Sequence, residues 1–445
     1  MNKYLQLLLI PLSIFFIFFN LYIRKATNYN SFYQWDEYPW IGRGYYLELL
    51  LNGDFDNPLW QTHGKDGDPK LTSYIYGLSL YPFYLQEKKI REKDYDMVKF
   101  LIEHNMFVDW LMNPYSAEKY TKYIAKLPNF IHWERSEAHG KTFYDLINKH
   151  GPNFEKTIFL IMKARIMAVI FMTLSVVIVY FFGLLLLKNA FLSFLLSILF
   201  GVGGLVMWHS SIAYTEPIFL LLFNIGVIIL ILTFSRGKFN LQWSVILGAV
   251  CALATQVKLN GIMLIFGFNI LSVIVLLKTF MKRTSQIRRK IIWSIIIANS
   301  SFLAVYVFID PFLYHETLKR IFFQYRWTYI VANWLTKHFP QYYLPDLYSR
   351  IGYIYNAFFN SPNILTPIFI KNIFFSRLIL KVIFIFFTLG FMKLSIKTYL
   401  EIKKFFLERN FLLSENSIFF LLFLLMLFTL IQYLLLGWDL SLIHI

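Results

Sequence analysis

One cysteine, Cys251, occurs in 445 residues, so no intramolecular disulfide can form and a cysteine-rich metal site is excluded. Charge is also scarce: Asp, Glu, Lys and Arg make up 16% of the chain, against about 25% in soluble proteins. No Asp or Glu lies well inside any long apolar run, which argues against a proton- or sodium-coupled transporter, whose pathway needs intramembrane carboxylates. A Walker-type phosphate loop is missing, as are an internal repeat and the matched pairs of Gly/Pro-broken helices found in inverted-repeat transporters.

What the chain has is apolar and aromatic surface, at 57% and 20% of residues. About 20 helical residues cross the roughly 30 Å hydrocarbon core of a bilayer. Runs suited to that task cover 5–23, 162–187, 190–208, 217–234, 242–257, 260–278, 291–309, 374–392 and 417–437. The break between the fifth and sixth is the least defined. The first run is too long and too aromatic for a signal peptide, and no small-residue cleavage site follows it. The fold class expected is an all-α polytopic membrane protein with about nine spans. Its parts are a first helix at 1–23, a large polar loop at 24–160, spans two to seven at 161–309, a second loop at 310–373, and spans eight and nine with the tail at 374–445. The tail Ser441-Leu-Ile-His-Ile445 resembles a translated sequencing adaptor, and a C-terminally truncated sequence is expected.

The net charge of +17 is unevenly spread. Residues 24–160 hold 18 of the 26 acidic and 17 of the 43 basic residues. The excess cations elsewhere sit at the ends of apolar runs, where topology control and attraction to anionic lipid explain them better than nucleic acid does. Lys and Arg crowd the connections around Arg236-Gly-Lys238, Lys282-Arg283 with Arg288-Arg289-Lys290, and 393–409, whereas the short loop 209–216 has none. By the positive-inside rule the N-terminus is cytoplasmic, and the 24–160 and 310–373 loops lie outside, where any chemistry should be. A bacterial or archaeal plasma membrane fits, since no endoplasmic-reticulum retention signal is visible.

Candidate reactive residues gather at that outer face. Asp36 and Glu37 lie in Tyr33-Gln-Trp-Asp-Glu-Tyr-Pro-Trp40. A carboxylate walled by aromatics at a membrane surface can be partly desolvated and poised as a base; the plainer reading is a solvated acidic pair. Asp54-x-Asp56 and Asp66-x-Asp68 match a short pattern that holds a divalent metal, but turn and cap roles explain them equally, with Asp68 and Pro69 opening a helix. Glu216 follows Thr215 and precedes Pro217, either as a first-turn residue behind a Thr cap or as a second site carboxylate. Lys258, Arg165 and Lys70 are cations at the same face, explained either by snorkelling to the interface or by a site for a lipid phosphate. His63, His209 and His315 show no metal spacing and read as scattered surface histidines.

The ordered set of Asp36-Glu37, Asp68-Pro-Lys-Leu71 with Tyr74-x-Tyr-Gly77, Arg165, Tyr214-Thr-Glu-Pro217, Lys258-Leu-Asn-Gly261 and Asp310-Pro-Phe-Leu-Tyr314 resembles the GT-C glycosyltransferases of the protein O-mannosyltransferase and aminoarabinose-transferase type. The resemblance covers most of residues 1–320. It implies a GT-C-type bundle using a sugar carried on a polyprenyl or dolichyl phosphate. It also implies Asp36 as catalytic base or metal ligand, Glu37 completing the acidic pair, and Glu216 as a second active-site carboxylate. Lys70, Arg165 and Lys258 become candidates for the donor phosphate. Many relatives carry His-Pro-Pro where this chain has Asp68-Pro-Lys70, so the acceptor stays open among protein hydroxyls, a glycolipid and a growing glycan. A divalent metal is an open option, nucleic acid is not a partner, and the polar stretch 86–155 is a candidate acceptor-binding element. Two other readings stay in view: a lipid-linked sugar flippase or other transporter, and a noncatalytic subunit docking through 86–155.

Overall fold

The structure is a computed structural model. It describes residues 5–34, 37–60, 70–91, 93–107, 114–127, 140–237, 239–281, 284–324, 392–405, 414, 415 and 417–422, with single positions at 326, 337 and 349. The chain is an all-α, multi-pass membrane protein. Among the described residues, five helices are long and apolar enough to cross a bilayer: Leu7–Ala26, Phe154–Leu187, Glu216–Ser235, Leu259–Met281 and Ser285–Ile309. Nearly all of the eighth expected span and most of the ninth, beyond residue 422, fall outside the described residues.

In chain order, a π-turn leads into α1 (Ile10–Ala26), followed by the short helices α2 (Glu37–Gly42), α3 (Tyr45–Leu51), α4 (Leu71–Lys88), α5 (Met97–Glu103), α6 (Pro114–Ile124) and α7 (Phe143–His150). The bundle continues with α8 (Asn153–Leu187), α9 (Ala190–Gly201), α10 (Gly204–His209), α11 (Glu216–Ser235), α12 (Leu241–Val257), α13 (Ile262–Met281) and α14 (Ser285–Ile309). The doubtful break between the fifth and sixth spans is real: a single 3₁₀ turn, Leu259–Gly261, separates α12 from α13.

Two expectations need correction. The third run, 190–208, is not one span, because Gly201, Gly203 and Gly204 break it into a 12-residue helix and a short one. At 1.5 Å per residue, α9 is roughly 18 Å long, too short to cross alone. Tyr22 of α1 donates to the Gly201 carbonyl at 2.7 Å, satisfying the broken end. The second run starts nine residues earlier than its hydropathy suggested, so Arg165 lies well inside α8 rather than at its start. The polar first turns of α8 pack on the loop helices, where the Thr157 hydroxyl donates to the His104 carbonyl at 2.8 Å.

Small residues let the bundle close where lipid gives no hydrophobic drive between helices. α12 and α14 approach so closely that a methyl on Gly248 would sit 2.2 Å from the Ala298 carbonyl oxygen. Asn269 and Asn299 exchange side-chain hydrogen bonds of 3.1 and 2.9 Å across α13 and α14.

Helices α2 to α7 form a cap on one end of the bundle with an aromatic core that includes Tyr33, Tyr45, Tyr46, Trp60, Tyr76 and Tyr84. Tyr46 and Trp60 stack at 5.0 Å. Helix α4 presses on the turn before α3, where a methyl on Gly77 would lie 2.5 Å from the Gly44 carbonyl oxygen. Two phenols fasten α4 to the bundle: Tyr74 donates to the Ile309 carbonyl at 2.8 Å and Tyr76 to the Tyr214 carbonyl at 2.5 Å.

Candidate functional site

The capped end gathers the free ends of α1, α12 and α14, the start of α11 and the outer third of α8. Two carboxylate–cation pairs form there, each joining segments distant in sequence, and a third acid and cation, Asp310 and Lys70, are buried at the same end.

The first pair is Glu37 with Arg165. Glu37 opens α2 and is wholly buried, as is Arg165 at 1% exposure. Arg165 Nε donates to Glu37 Oε2 at 2.9 Å and a terminal nitrogen to Oε1 at 2.5 Å, a two-pronged bond. The Ala213 and Gln34 backbone N–H groups donate to the same carboxylate at 3.0 and 3.3 Å. Arg165 also donates to the Phe32 carbonyl at 2.8 Å and lies over the Phe143 ring at 4.4 Å. This pair pins α2, α7, α8 and the loop before α11 together. Asp36, one residue earlier, lies outside the described residues.

The second pair is Glu216 with Lys258. Lys258 Nζ donates to Glu216 Oε1 at 3.0 Å, and their side chains keep 21% and 12% exposure. Thr215 departs from its expected cap role: it is helical, makes no side-chain cap, and its hydroxyl instead donates to Glu216 Oε2 at 3.1 Å. His209 Nδ1 lies 3.8 Å from the same oxygen. Lys258 is extended (φ −151°, ψ 129°) because the chain turns between α12 and α13. That turn requires Gly261, where a methyl would come within 2.4 Å of the Ala254 backbone.

The third acid and cation, Asp310 and Lys70, interact through charge and were legible only in part. Lys70 is 1% exposed and Asp310 fully buried. Lys70 Nζ lies 3.4 Å from the Tyr46 hydroxyl, which accepts from it, and 4.6 Å from that ring's centre. Asp310 accepts from Gln324 Nε2 at 2.9 Å and from the Phe312 N–H at 3.2 Å. Burial pushes the Asp310 carboxyl up to about 6, against the pull of Lys70, the Gln324 and Phe312 donors and Arg320. Asp310 appeared in the sequence only as part of Asp310-Pro-Phe-Leu-Tyr314; its signal was an acid directly after an apolar run and before proline.

The pairs adjoin. Ala213 and Tyr214 link the first to the second, and Tyr76, on the Tyr214 carbonyl, feels both Glu216 and Glu37. Burial with those two negative charges holds its phenol well above the usual range, so it remains a donor. Gln256, two residues before Lys258, accepts from the Lys70 N–H at 3.4 Å and donates to the Tyr306 carbonyl at 2.8 Å, linking the second pair to Lys70.

Other candidates fall elsewhere. His209 is 6% exposed, so the expectation of a surface histidine fails for it; the broken third run folds it inward. His315 is exposed and sits 2.8 Å from Asp56 Oδ1, while Asp54 accepts from Asn57 at 2.6 Å in a turn. Asp66, Asp68, Pro69 and His63 lie outside the described residues, and α4 begins at Leu71 with Lys70 in the uncapped preceding position. Among the described residues, no three His, Cys, Asp or Glu side chains converge as a metal site.

No curated protein and no solved structure matches the chain. Residues 147–318, which carry Arg165, His209, Glu216, Lys258 and Asp310, match the family model described as dolichyl-phosphate-mannose-protein mannosyltransferase. That match, over the central part of the chain, supports a sugar-transferring enzyme in general terms.

Proposed function

We propose that this chain is an integral-membrane glycosyltransferase that moves a sugar from a polyprenyl or dolichyl phosphate to an acceptor hydroxyl, at the capped end of its bundle. The observation that carries this reading is the two linked acid–cation pairs at one end of an apolar bundle, Glu37–Arg165 and Glu216–Lys258, three of whose four members (Arg165, Glu216 and Lys258) lie within the matched segment. That end is the extracytoplasmic one in this proposal, because the clustered cations lie at the other.

In the proposed reaction the lipid tail lies among the spans and its phosphosugar reaches the capped end. Asp36 accepts the proton of an acceptor hydroxyl. The oxygen attacks the anomeric carbon from the side opposite the phosphate, the carbon–oxygen bond to phosphate breaks, and the configuration inverts by the same facial argument that applies to inverting glycosidases. The leaving phosphate gains negative charge, and preorganised cations stabilise it without reorganising. Lys258 is the most exposed of the three candidate cations and is the direct phosphate contact in this scheme. Arg165 and Lys70 are sealed, so they act by fixing Glu37 and by long-range field. Glu216 holds Lys258 in place.

The test is transfer of radiolabelled sugar from a panel of polyprenyl-phosphate sugars by purified protein, with membrane extract as acceptor and with or without chelator. Transfer by the wild type that disappears in Asp36→Asn, with expression and donor binding retained, is the expected result. Near-normal turnover in Asp36→Asn removes the base assignment. Donor movement across vesicles without transfer moves the reading to a flippase.

A further inference from the structure

At the opposite end of the bundle, a 14-residue helix at 392–405 has a surface that the transfer chemistry does not use. Its residues fall into three sectors when wound at 3.6 per turn. Thr398 and Phe405 face the bundle, at 1% and 4% exposure. A second sector is apolar yet open: Met392, Ile396, Tyr399 and Leu400 are 56%, 61%, 66% and 57% exposed. Between them runs an edge of exposed lysines, Lys393, Lys397 and Lys404, with Lys403 at the last turn of the apolar sector.

Two attachments set its depth. The Phe405 ring lies 3.6 Å from Lys278 Nζ, in the last turn of α13, where that span ends. Glu401 accepts hydrogen bonds from Ser414 and Ser417. The segment beyond is tied to the same end of α8, Glu415 pairing with Lys188 at 3.4 Å and Phe419 packing on Phe182 at 5.2 Å. The helix therefore sits at the boundary of the bilayer rather than out in water. At this level an exposed apolar sector meets acyl chains, and a lysine edge beside it meets headgroups, the pattern of an interfacial helix.

We propose that the 392–405 helix is an interfacial anchor that lays its Met392, Ile396, Tyr399 and Leu400 face into acyl chains and its lysine edge onto anionic glycerophospholipid headgroups. The occupant is fixed by charge. Four lysines against one Glu401 on this helix, beside Arg236, Arg288, Arg289 and Lys290 at the same end of the bundle, complement a negatively charged membrane surface and repel a basic partner.

The experiment uses nitroxide labels on Ile396→Cys, Tyr399→Cys and Lys397→Cys, one at a time, in full-length protein. Cys251 is fully buried, and a mock-labelled parent corrects for it. Collision with oxygen, which partitions into lipid, is compared with collision with a water-soluble nickel chelate in neutral and in phosphatidylglycerol-containing vesicles. Positions 396 and 399 are expected to favour oxygen several-fold and position 397 nickel, with the oxygen bias at 396 and 399 rising in the anionic vesicles. Lys393→Gln/Lys397→Gln/Lys403→Gln/Lys404→Gln, labelled at 399, should lose that rise while keeping its value in neutral vesicles, which shows that it is folded. Nickel dominating at 396 and 399 overturns the anchor. Shielding from both reagents there means that protein covers the face, and also overturns it. A rise that survives the four Gln substitutions overturns the headgroup assignment.

Discussion

Glu37–Arg165 and Glu216–Lys258 are carboxylate–cation pairs anchored in one stretch of chain, the first through Ala213 and the second three residues later, yet their settings differ. The first is sealed, with both side chains at or near zero exposure and every carboxylate oxygen engaged by two donors. The second keeps 12% and 21% exposure and meets a hydroxyl and a histidine on its other oxygen. The same charges thus do different work. Enclosed and fully bonded, a pair fixes where segments meet; left partly open, it is the one that the proposed reaction uses at the donor phosphate.

The largest effect expected on stability is from Arg165→Ala, which strands a buried carboxylate and should cost about 3–5 kcal/mol. Thermal unfolding in detergent reads it. Glu37→Leu/Arg165→Leu should recover much of the loss, because it removes both charges. If Arg165→Ala unfolds no earlier than the wild type, the pair is not the clamp described here.

Glu216→Gln tests the other half. A partly exposed pair contributes at most about 1 kcal/mol to stability, whereas letting Lys258 drift by about 1 Å from the developing phosphate costs on the order of 10² in rate. The variant should therefore keep its unfolding midpoint and lose sugar transfer. Unfolding as early as Arg165→Ala would erase the distinction between the pairs. Gly261→Ala sharpens it: the added methyl meets the Ala254 backbone, not a yielding side chain, at a cost of roughly 1–3 kcal/mol. By displacing Lys258 it should reduce transfer further than its stability loss alone explains, read as rate against folded fraction.

The sequence made the bundle legible wherever a span was a simple apolar run, as in Glu216–Ser235 and Ser285–Ile309. It failed at α9 because hydropathy averages over glycines: Gly201, Gly203 and Gly204 hardly lower the mean but end the helix. It placed the start of α8 too late for the converse reason, since polar first turns can stay helical when they pack on a cap. The site residues were legible as types but not as partners. Glu37 and Arg165 lie 128 positions apart, and Glu216 and Lys258 lie 42 apart, and no local periodicity links such pairs. For the same reason Lys70 read as a candidate phosphate-binding cation and its burial was not foreseen: the aromatic cap and the segment after α14 that bury it come from elsewhere in the chain.

The smallest expected effect concerns the buried Asp310 and depends on pH. Asp310, with its carboxyl near 6 when folded, ionises near 3.9 in an unfolded chain. Below about pH 4 both states hold the proton, so this group contributes nothing to the difference. Between about 4 and 6 the native state keeps the proton while the unfolded state releases it, so stability falls as pH rises through that window and levels off above it. Glu87 on the cap has the opposite sign. Burial alone would raise its carboxyl, but bonds from His104 and Lys156 outweigh that and hold it at about 2. Its contribution is present above about pH 4.5 and is lost as pH falls toward 2. The two windows scarcely overlap, so they separate in one titration. Asp310→Asn keeps an oxygen for Gln324 but cannot ionise, and it should flatten the decline between pH 4.5 and 6.5 by about 2–4 °C in the unfolding midpoint. A slope unchanged in Asp310→Asn would mean that the carboxylate is ionised throughout, with Lys70 balancing it more fully than its burial allows.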